Sequence, residues 1–475
     1  MSHPTVPYKP KSFLKSPNII YVSQADFKEP VLITTSDTIV KFTSNVTVDF
    51  KTEAEKKSPT HLGHFAALII GASRIIIDLQ GYTFKMSEDY SKIQRFFSLI
   101  SLDITPFPNG TSKFTTVPVK PTDIIVKNGR FGLTSHFALH NSTGGARFYF
   151  HHLSIEAFEV GAIALSSCED VSIDYVTIGK SIPPKTTGRF VMLRDVYASI
   201  LKEKSSVELT NNIRELKDKE QLVKPQSSDA LVRSIVIVPK FNVGAVPEHI
   251  ETRIHRISIT NVSFDDLFAS PQSVTGQSTS QSDEDVIKDV NGNIISLEDS
   301  DPGSVIAQAQ AFVTPTLPSR IRQALLGKQP LRLRPVPHLD VRGHDLRRKA
   351  SAFIRIDGAT DVIMSNITAK CVHSTGESGA ATCIILNHCE NAKLYNVKLR
   401  DDVYVGDGCV NAFDDQRPIG GLYIRNCNQI KLDKVEYPPG QHCSTMLLNV
   451  NDVNINRSNL NSPIAILKSK NVKMV

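Results

Sequence analysis

The densest group of side chains that could do chemistry lies in the acidic segment 400–421, RDDVYVGDGCVNAFDDQRPIGG, which holds five carboxylates within fifteen residues. Carboxylates that converge can bind Ca²⁺ or form the acid/base pair that cleaves a glycosidic bond. The candidate calcium ligands are Asp401, Asp402 and Asp407, and the candidate catalytic residues, if the chain is an enzyme, are Asp414, Asp415 and Arg417. The competing interpretation is a solvated turn, where Asp and Gly stand for conformational reasons.

A basic segment, residues 319–349, carries nine Lys/Arg against two Asp. Its net charge is therefore +7, whereas the net charge of the whole chain is +6. Such a segment could bind an anionic glycan or an acidic protein partner, whereas nucleic acid is not expected. Alternatively, it is a solvated linker whose arginine stems cover apolar surface. The candidate binding residues are Arg320, Arg322, Arg332, Arg334, Arg342, Arg347, Arg348 and Lys349.

A histidine-rich run, HFALHNSTGGARFYFHHL, contains His136, His140, Arg147, His151 and His152. Strand alternation predicts that His151 and His152 point to opposite faces, so that at most one joins the other polar side chains on a given surface. These residues could bind a metal or act as a base. The alternative interpretation is that they are ordinary polar residues at the edge of a coil, and this alternative is sufficient to explain them.

The seven cysteines form no CxxC pair. A zinc set of Cys383, Cys389 and His388 fits no known ligand spacing, and buried free thiols stacked along a core explain the cysteines better.

Repeating short strands position these groups. Segments such as GAIALSSCEDVSIDYVTI, FIRIDGATDVIMSNITA and GLYIRNCNQIKLDKVEY share an alternating strand, a polar turn, a second alternating strand, a tight corner and a third strand. At the corners stand Asn261, Asn366 and Asn396, residues that tolerate left-handed geometry and can hydrogen-bond along a stack. A β-sandwich would need more hairpin signals than occur here.

The pattern predicts an all-β, right-handed parallel β-helix with helical and loop insertions. We expect Ile363, Leu394 and Val397 to be buried in its core. The expected segments are an N-terminal extension and cap (1–59), coils (60–180), a helical insertion (181–226), a coil (227–268), a polar and basic insertion with short helices (269–351) and coils (352–475).

This repeat resembles the pectin-lyase-like family of right-handed parallel β-helices, over about two-thirds of the chain. Within it, SRIIIDLQGYTF, QRFFSLISLDITPF and DVNGNIISLEDSDPGSVIAQAQAF resemble β-helix proteins of large double-stranded DNA viruses. The family includes polysaccharide lyases, glycoside hydrolases, uronan epimerases, phage tailspikes and non-enzymatic structural proteins. Its polysaccharide-cleaving members act in a groove along one sheet, and its galacturonan hydrolases carry paired aspartates followed by Gly-His-Gly and Arg-Ile-Lys. Asp414-Asp415 resembles the first element, but the other two do not occur.

Two classes of function therefore remain open. The favoured one is a structural or binding protein associated with a virion, acting with other structural proteins and, by resemblance to phage rods, as a homotrimer. The alternative is a polysaccharide lyase, glycoside hydrolase or epimerase. No cofactor is expected apart from calcium. The sequence has no apolar run long enough for a signal peptide or a membrane span, which predicts a virion or host-cytoplasm location.

Overall fold

A computed structural model describes most of the strand-rich sequence. The described residues are 16–50, 66–93, 97–103, 120–141, 144–179, 181, 233–238, 254–269, 286–288, 294–296, 351–374, 381–399, 421–436, 445–460 and 464–474. They form a right-handed parallel β-helix with two long, all-parallel sheets, which confirms the predicted fold class.

The larger sheet, sheet 1, has fourteen strands. They are β1 (Asn18–Val22), β3 (Thr38–Phe42), β4 (Val46–Val48), β6 (Ile75–Asp78), β7 (Thr83–Met86), β9 (Thr122–Phe131), β11 (Gly145–Ile155), β13 (Cys168–Ile178), β15 (Ile254–Ala269), β19 (Ala359–Ser374), β21 (Glu390–Leu399), β23 (Asn428–Glu436), β25 (Asn451–Asn456) and β27 (Lys470–Met474). Strands therefore begin within the segment expected to be an N-terminal extension.

The second sheet, sheet 2, has eleven strands. They are β2 (Val31–Ile33), β5 (Ala66–Ile70), β8 (Ser98–Ser101), β10 (Phe137–Asn141), β12 (Gly161–Ser166), β14 (Arg233–Val238), β18 (Ser351–Asp357), β20 (Ala381–Asn387), β22 (Leu422–Arg425), β24 (Thr445–Leu448) and β26 (Ile464–Leu467). Outside the two long sheets lie an antiparallel pair, β16 (Val286–Lys288) with β17 (Ile294–Ser296), a 3₁₀ turn at Gln24–Asp26 and the helix α1 (Glu88–Ile93). No described helix is long and apolar enough to cross a membrane.

The core is built from columns of inward side chains, one from each coil. Ile259, Met364, Leu394 and Leu432 are in register on four successive strands of sheet 1, and all are buried. Each column removes apolar surface from water that a single coil would leave exposed, which is why the pattern must recur.

The burial predicted for Leu394 and Val397 is confirmed, whereas the prediction for Ile363 is wrong. Asp361, at the start of this segment, is left-handed (φ 58°), and the strand that follows it alternates regularly. Val362 and Met364, the two neighbours of Ile363, therefore point inward. Ile363 is therefore only half-buried, and it lies beside the exposed Lys393 on the outer face.

The predicted asparagine corner is confirmed. Asn261, Asn366 and Asn396 are left-handed, with φ between 52° and 54°. Asn396 Nδ2 donates to Asn366 Oδ1 at 2.7 Å, and Asn366 Nδ2 donates to Asn261 Oδ1 at 2.9 Å. The long strands of sheet 1 bend at this corner because the left-handed residue interrupts the ladder.

A second column of left-handed residues, which was not predicted from the sequence, lies at or near the start of the strands of sheet 1. We refer to it as the charged corner. Its members, taken in register, are Asp37, Arg74, Asp123, Arg147, Asp170, Arg256, Asp361, Asn391, Gln429, Asp452 and Asn471. The first seven alternate in charge, so that like charges are never neighbours.

Candidate functional site

The outward face of sheet 2 carries a buried polar group that we call the arginine cluster: Arg355 and Asp357 of β18, Asn387 of β20, and Tyr423 and Arg425 of β22. Alternation places these side chains outward, because their neighbours, such as Ile356 and Ile424, point into the core. Asp357, Asn387 and Arg425 are in register on three successive coils. All five members are at most 8 % exposed.

A buried ion pair lies at the centre of the cluster. Arg355 Nη2 donates to Asp357 Oδ2 at 2.6 Å, and Arg355 Nε donates to both carboxylate oxygens, at 3.1 and 3.2 Å. The two residues are two positions apart on one strand, so their side chains leave the same face. Charge-assisted bonds with this bidentate geometry are among the strongest polar contacts in proteins.

Asn387 provides an unused acceptor next to this pair. Its Oδ1 is buried and has no hydrogen-bond partner in the part of the chain that the structure describes. A buried acceptor left unpaired costs free energy, about 1–3 kcal/mol. A ligand hydroxyl or N–H group at this position would remove that cost.

The fold itself does not require charges at these positions. Neighbouring coils place Val236 and Ile385 in register with Arg355, and Leu448 in register with Arg425, and all three are buried. Replacing a buried ion pair by well-packed apolar side chains is often neutral or stabilising. The cluster is therefore a candidate binding site rather than a packing requirement.

The histidine-rich run is divided among different faces. His140 lies on β10 of sheet 2, and His136 directly precedes that strand; both are buried. Burial lowers the pKa of His136 well below its ordinary value, and the nearby His140 lowers it further, so the ring stays neutral. Arg147 belongs to the charged corner, where its Nε donates to Asp123 Oδ1 at 2.6 Å.

The prediction that His151 and His152 point to opposite faces is wrong. His152 is left-handed (φ 55°) and occupies the asparagine corner, one coil from Asn128, so alternation is broken there. The Nδ1 atoms of the two rings are 2.9 Å apart. His151 stacks on Tyr149 and His152 on Tyr175, with ring centroids 4.5 and 5.2 Å apart. We call these four rings the histidine corner.

Charged groups surround the histidine corner. Lys127 and Asp174 are the in-register neighbours of His151 on the adjacent coils. The pKa of His151 is lowered to about 4, first by burial and then by His152 and Lys127, whereas Asp174 opposes the shift. Asp174 Oδ1 accepts hydrogen bonds from Thr260 Oγ1 at 2.7 Å and from Asn261 Nδ2 at 2.8 Å.

Four cysteines within the described ranges, Cys168, Cys383, Cys389 and Cys427, are free and buried, as predicted for stacked thiols. His388 lies at a left-handed corner, where Asn426 Nδ2 approaches its Nε2 at 3.0 Å. Among the residues that the structure covers, no three His, Cys, Asp or Glu side chains converge to hold a metal ion.

The other site residues predicted from the sequence lie outside the described residues and stay predictions. They are Asp401, Asp402, Asp407, Asp414, Asp415, Arg417, Arg320, Arg322, Arg332, Arg334, Arg342, Arg347, Arg348 and Lys349. The arginine cluster was missed, although FIRID, CIILN and GLYIR align with Asp357, Asn387 and Arg425 at one shared outward position. Polar residues at an outward position of otherwise apolar strands are the signal that could have identified it.

By its strand order, the chain is a parallel β-helix protein. No protein-family model and no curated protein matches its sequence. Among solved structures, it is similar to the catalytic domain of a GH87 alpha-1,3-glucanase in complex with tetrasaccharides, at 8% sequence identity and a TM-score of 0.20. The match covers 98% of this chain and 69% of that chain. So low a TM-score carries no inference about function.

Proposed function

We propose that this chain is a structural, ligand-binding β-helix whose stacked coils hold the arginine cluster in place for an acidic group of a partner. The observation that carries the proposal is the buried Arg355–Asp357 ion pair on an outward face, with Arg355 at a position where both adjacent coils hold apolar side chains.

The chemistry of the cluster favours an anionic glycan. Arginine pairs bidentately with carboxylates and sulfates, and the cluster contains the guanidinium groups of Arg355 and Arg425. The free acceptor of Asn387 suits a sugar hydroxyl as donor. A solenoid fixes these groups at coil spacing, so little side-chain entropy is lost when a ligand binds.

The setting that we propose is a particle of a large DNA virus, where the chain would act with other structural proteins and form a homotrimer. Support comes from the resemblance of SRIIIDLQGYTF and the other quoted segments to viral β-helix proteins. Mass spectrometry of purified particles tests this setting. Stoichiometric amounts of the chain are expected, and its absence from particles would contradict the proposal.

Binding is tested by calorimetry with uronate-containing and sulfated oligosaccharides beside neutral ones. In Arg425→Met we expect at least about tenfold weaker binding of the acidic ligands, because one desolvated charge pair is lost. The double variant Arg355→Ile, Asp357→Val should also bind weakly, while its free energy of unfolding should stay within about 1 kcal/mol of the native value, because apolar replacement of a buried ion pair is often neutral. Lys431→Gln, an exposed change on sheet 1, is the control. Unchanged affinity in both cluster variants would refute the site.

A polysaccharide-active enzyme is the second candidate, because the acidic segment 401–415 precedes β22, the strand that carries Arg425. Calcium held by Asp401, Asp402 and Asp407 would then stabilise charge on a uronate. The assay follows unsaturated products and reducing ends, with Ca²⁺ and with chelator. Activity that is lost in Asp414→Asn or Asp415→Asn would replace the binding proposal by an enzymatic one.

A further inference from the structure

We propose that the histidine corner binds a divalent transition metal of square-planar preference, Cu²⁺ in the first place, with the Nδ1 atoms of His151 and His152 as neighbouring ligands. This site is independent of the arginine cluster, which lies on the other sheet.

The separation of the two nitrogens matches such an ion. Two imidazole nitrogens at about 2.0 Å from a metal are about 2.8 Å apart when they subtend a right angle, and about 3.3 Å apart in a tetrahedral site. The observed Nδ1–Nδ1 distance is 2.9 Å. Right-angled ligand pairs are typical of Cu²⁺ and Ni²⁺, whereas structural zinc sites are tetrahedral.

Stacking holds both rings in this geometry. The ring of His151 lies 25° from the plane of Tyr149, and the ring of His152 lies 16° from the plane of Tyr175. Ligands that are already oriented lose little freedom when the metal binds, which raises affinity.

The backbone at His152 also indicates a role beyond folding. Asn128 and Asn261 hold the same corner in nearby coils, so the corner itself does not require a histidine. Both His152 and the neighbouring Tyr175 break the asparagine column, and together they build the ring cluster.

His152 is exposed and His151 is half-buried, so solvent can reach both rings. In the metal-free chain, the Nδ1–H of one ring donates a hydrogen bond to the Nδ1 of the other. With the metal bound, the donor ring carries its proton on Nε2 instead, as the other ring already does, so the protein loses no proton. Water or an external ligand completes the square, because a two-histidine site supplies only half of it. Asp174, in register with His151, contributes negative charge, and Lys127 on the opposite side contributes positive charge.

The experiment measures Cu²⁺ binding to untagged protein by calorimetry and electron paramagnetic resonance. Every protein carries His3→Ala, because a free amino terminus with histidine at the third position binds Cu²⁺ by itself. We expect one Cu²⁺ per chain and a spectrum with coupling to imidazole nitrogens.

The informative variant is His152→Asn, which restores the residue that this corner holds in other coils and therefore preserves the fold. His152→Asn and His151→Gln should each weaken Cu²⁺ binding at least about tenfold. His255→Gln, which alters a histidine bonded to Thr360 elsewhere on sheet 1, should leave Cu²⁺ binding unchanged. Wild-type affinity in folded His152→Asn protein, or a spectrum without nitrogen coupling, would overturn the proposal.

Discussion

At the scale of single residues, left-handed backbone decides where each coil turns. Asn366 illustrates the requirement, because it adopts φ 54° and its side chain both donates to Asn261 and accepts from Asn396. The same position accepts His152, Tyr175 and Lys434 in other coils. Asparagine is therefore favoured at this corner but not obligatory.

We expect Asn366→Ala to lower the free energy of unfolding by about 1–3 kcal/mol, since it removes two exposed side-chain hydrogen bonds and places a Cβ-bearing residue without local bonding in left-handed geometry. Asn366→Gly removes the same bonds but tolerates the backbone, so it should cost about 1 kcal/mol less. Urea unfolding measures both. Equal losses would show that backbone strain does not contribute at this corner.

At the scale of elements, the charged corner ties consecutive coils together in pairs. Arg74 contacts Asp37, Arg147 contacts Asp123, and Arg256 contacts Asp170, in each case with the coil before it in the stack. Exposed pairs of this kind contribute little singly. Their alternation nevertheless opposes a shift by one coil, because a shifted stack would place like charges side by side.

The pair Arg147–Asp123 predicts a pH dependence. The hydrogen bond from Arg147 holds the pKa of Asp123 below its ordinary value, so this pair stabilises the fold above the unfolded-state pKa of about 4, and the stabilisation is lost as pH falls through the folded-state pKa. Arg147→Gln should cost about 0.5–1 kcal/mol at pH 7. The difference from the native protein should shrink in urea unfolding at pH 3. A difference that is independent of pH would exclude Asp123 as its source.

At the scale of the whole molecule, each coil contacts its sequential neighbours, so stability is approximately a sum of nearest-neighbour terms. A core defect should therefore act locally before it acts globally. The Leu394 side chain lies between Met364 and Leu432 of the adjacent coils, which makes it a suitable position for this test.

Leu394→Ala should cost about 2–5 kcal/mol, because it removes buried methyl groups and leaves a cavity. Hydrogen exchange should increase mainly in β19, β21 and β23, with β1 to β9 nearly unchanged. Ile363→Ala, one coil away on the outer face and half-buried, is the matched control and should change little. Exchange that rises equally along the chain would contradict nearest-neighbour behaviour.

The sequence by itself determined the fold class, the asparagine corner and the buried thiols. The apolar and turn residues that specify them recur from coil to coil, so the fold is visible as a period in the chain. The positions of Leu394 and Val397 in the core follow from the same period.

Only the tertiary structure decided which side chains meet. It brought Asp357, Asn387 and Arg425 together from three coils, aligned the charged corner, and turned His151 and His152 to the same side. Ile363 lies outward because Val362 and Met364 on either side of it point into the core, whereas alternation fails at His152 because a left-handed residue resets the phase of a strand, at a position that depends on how the coils stack. Contacts between residues tens of positions apart follow from that register, which local sequence does not specify.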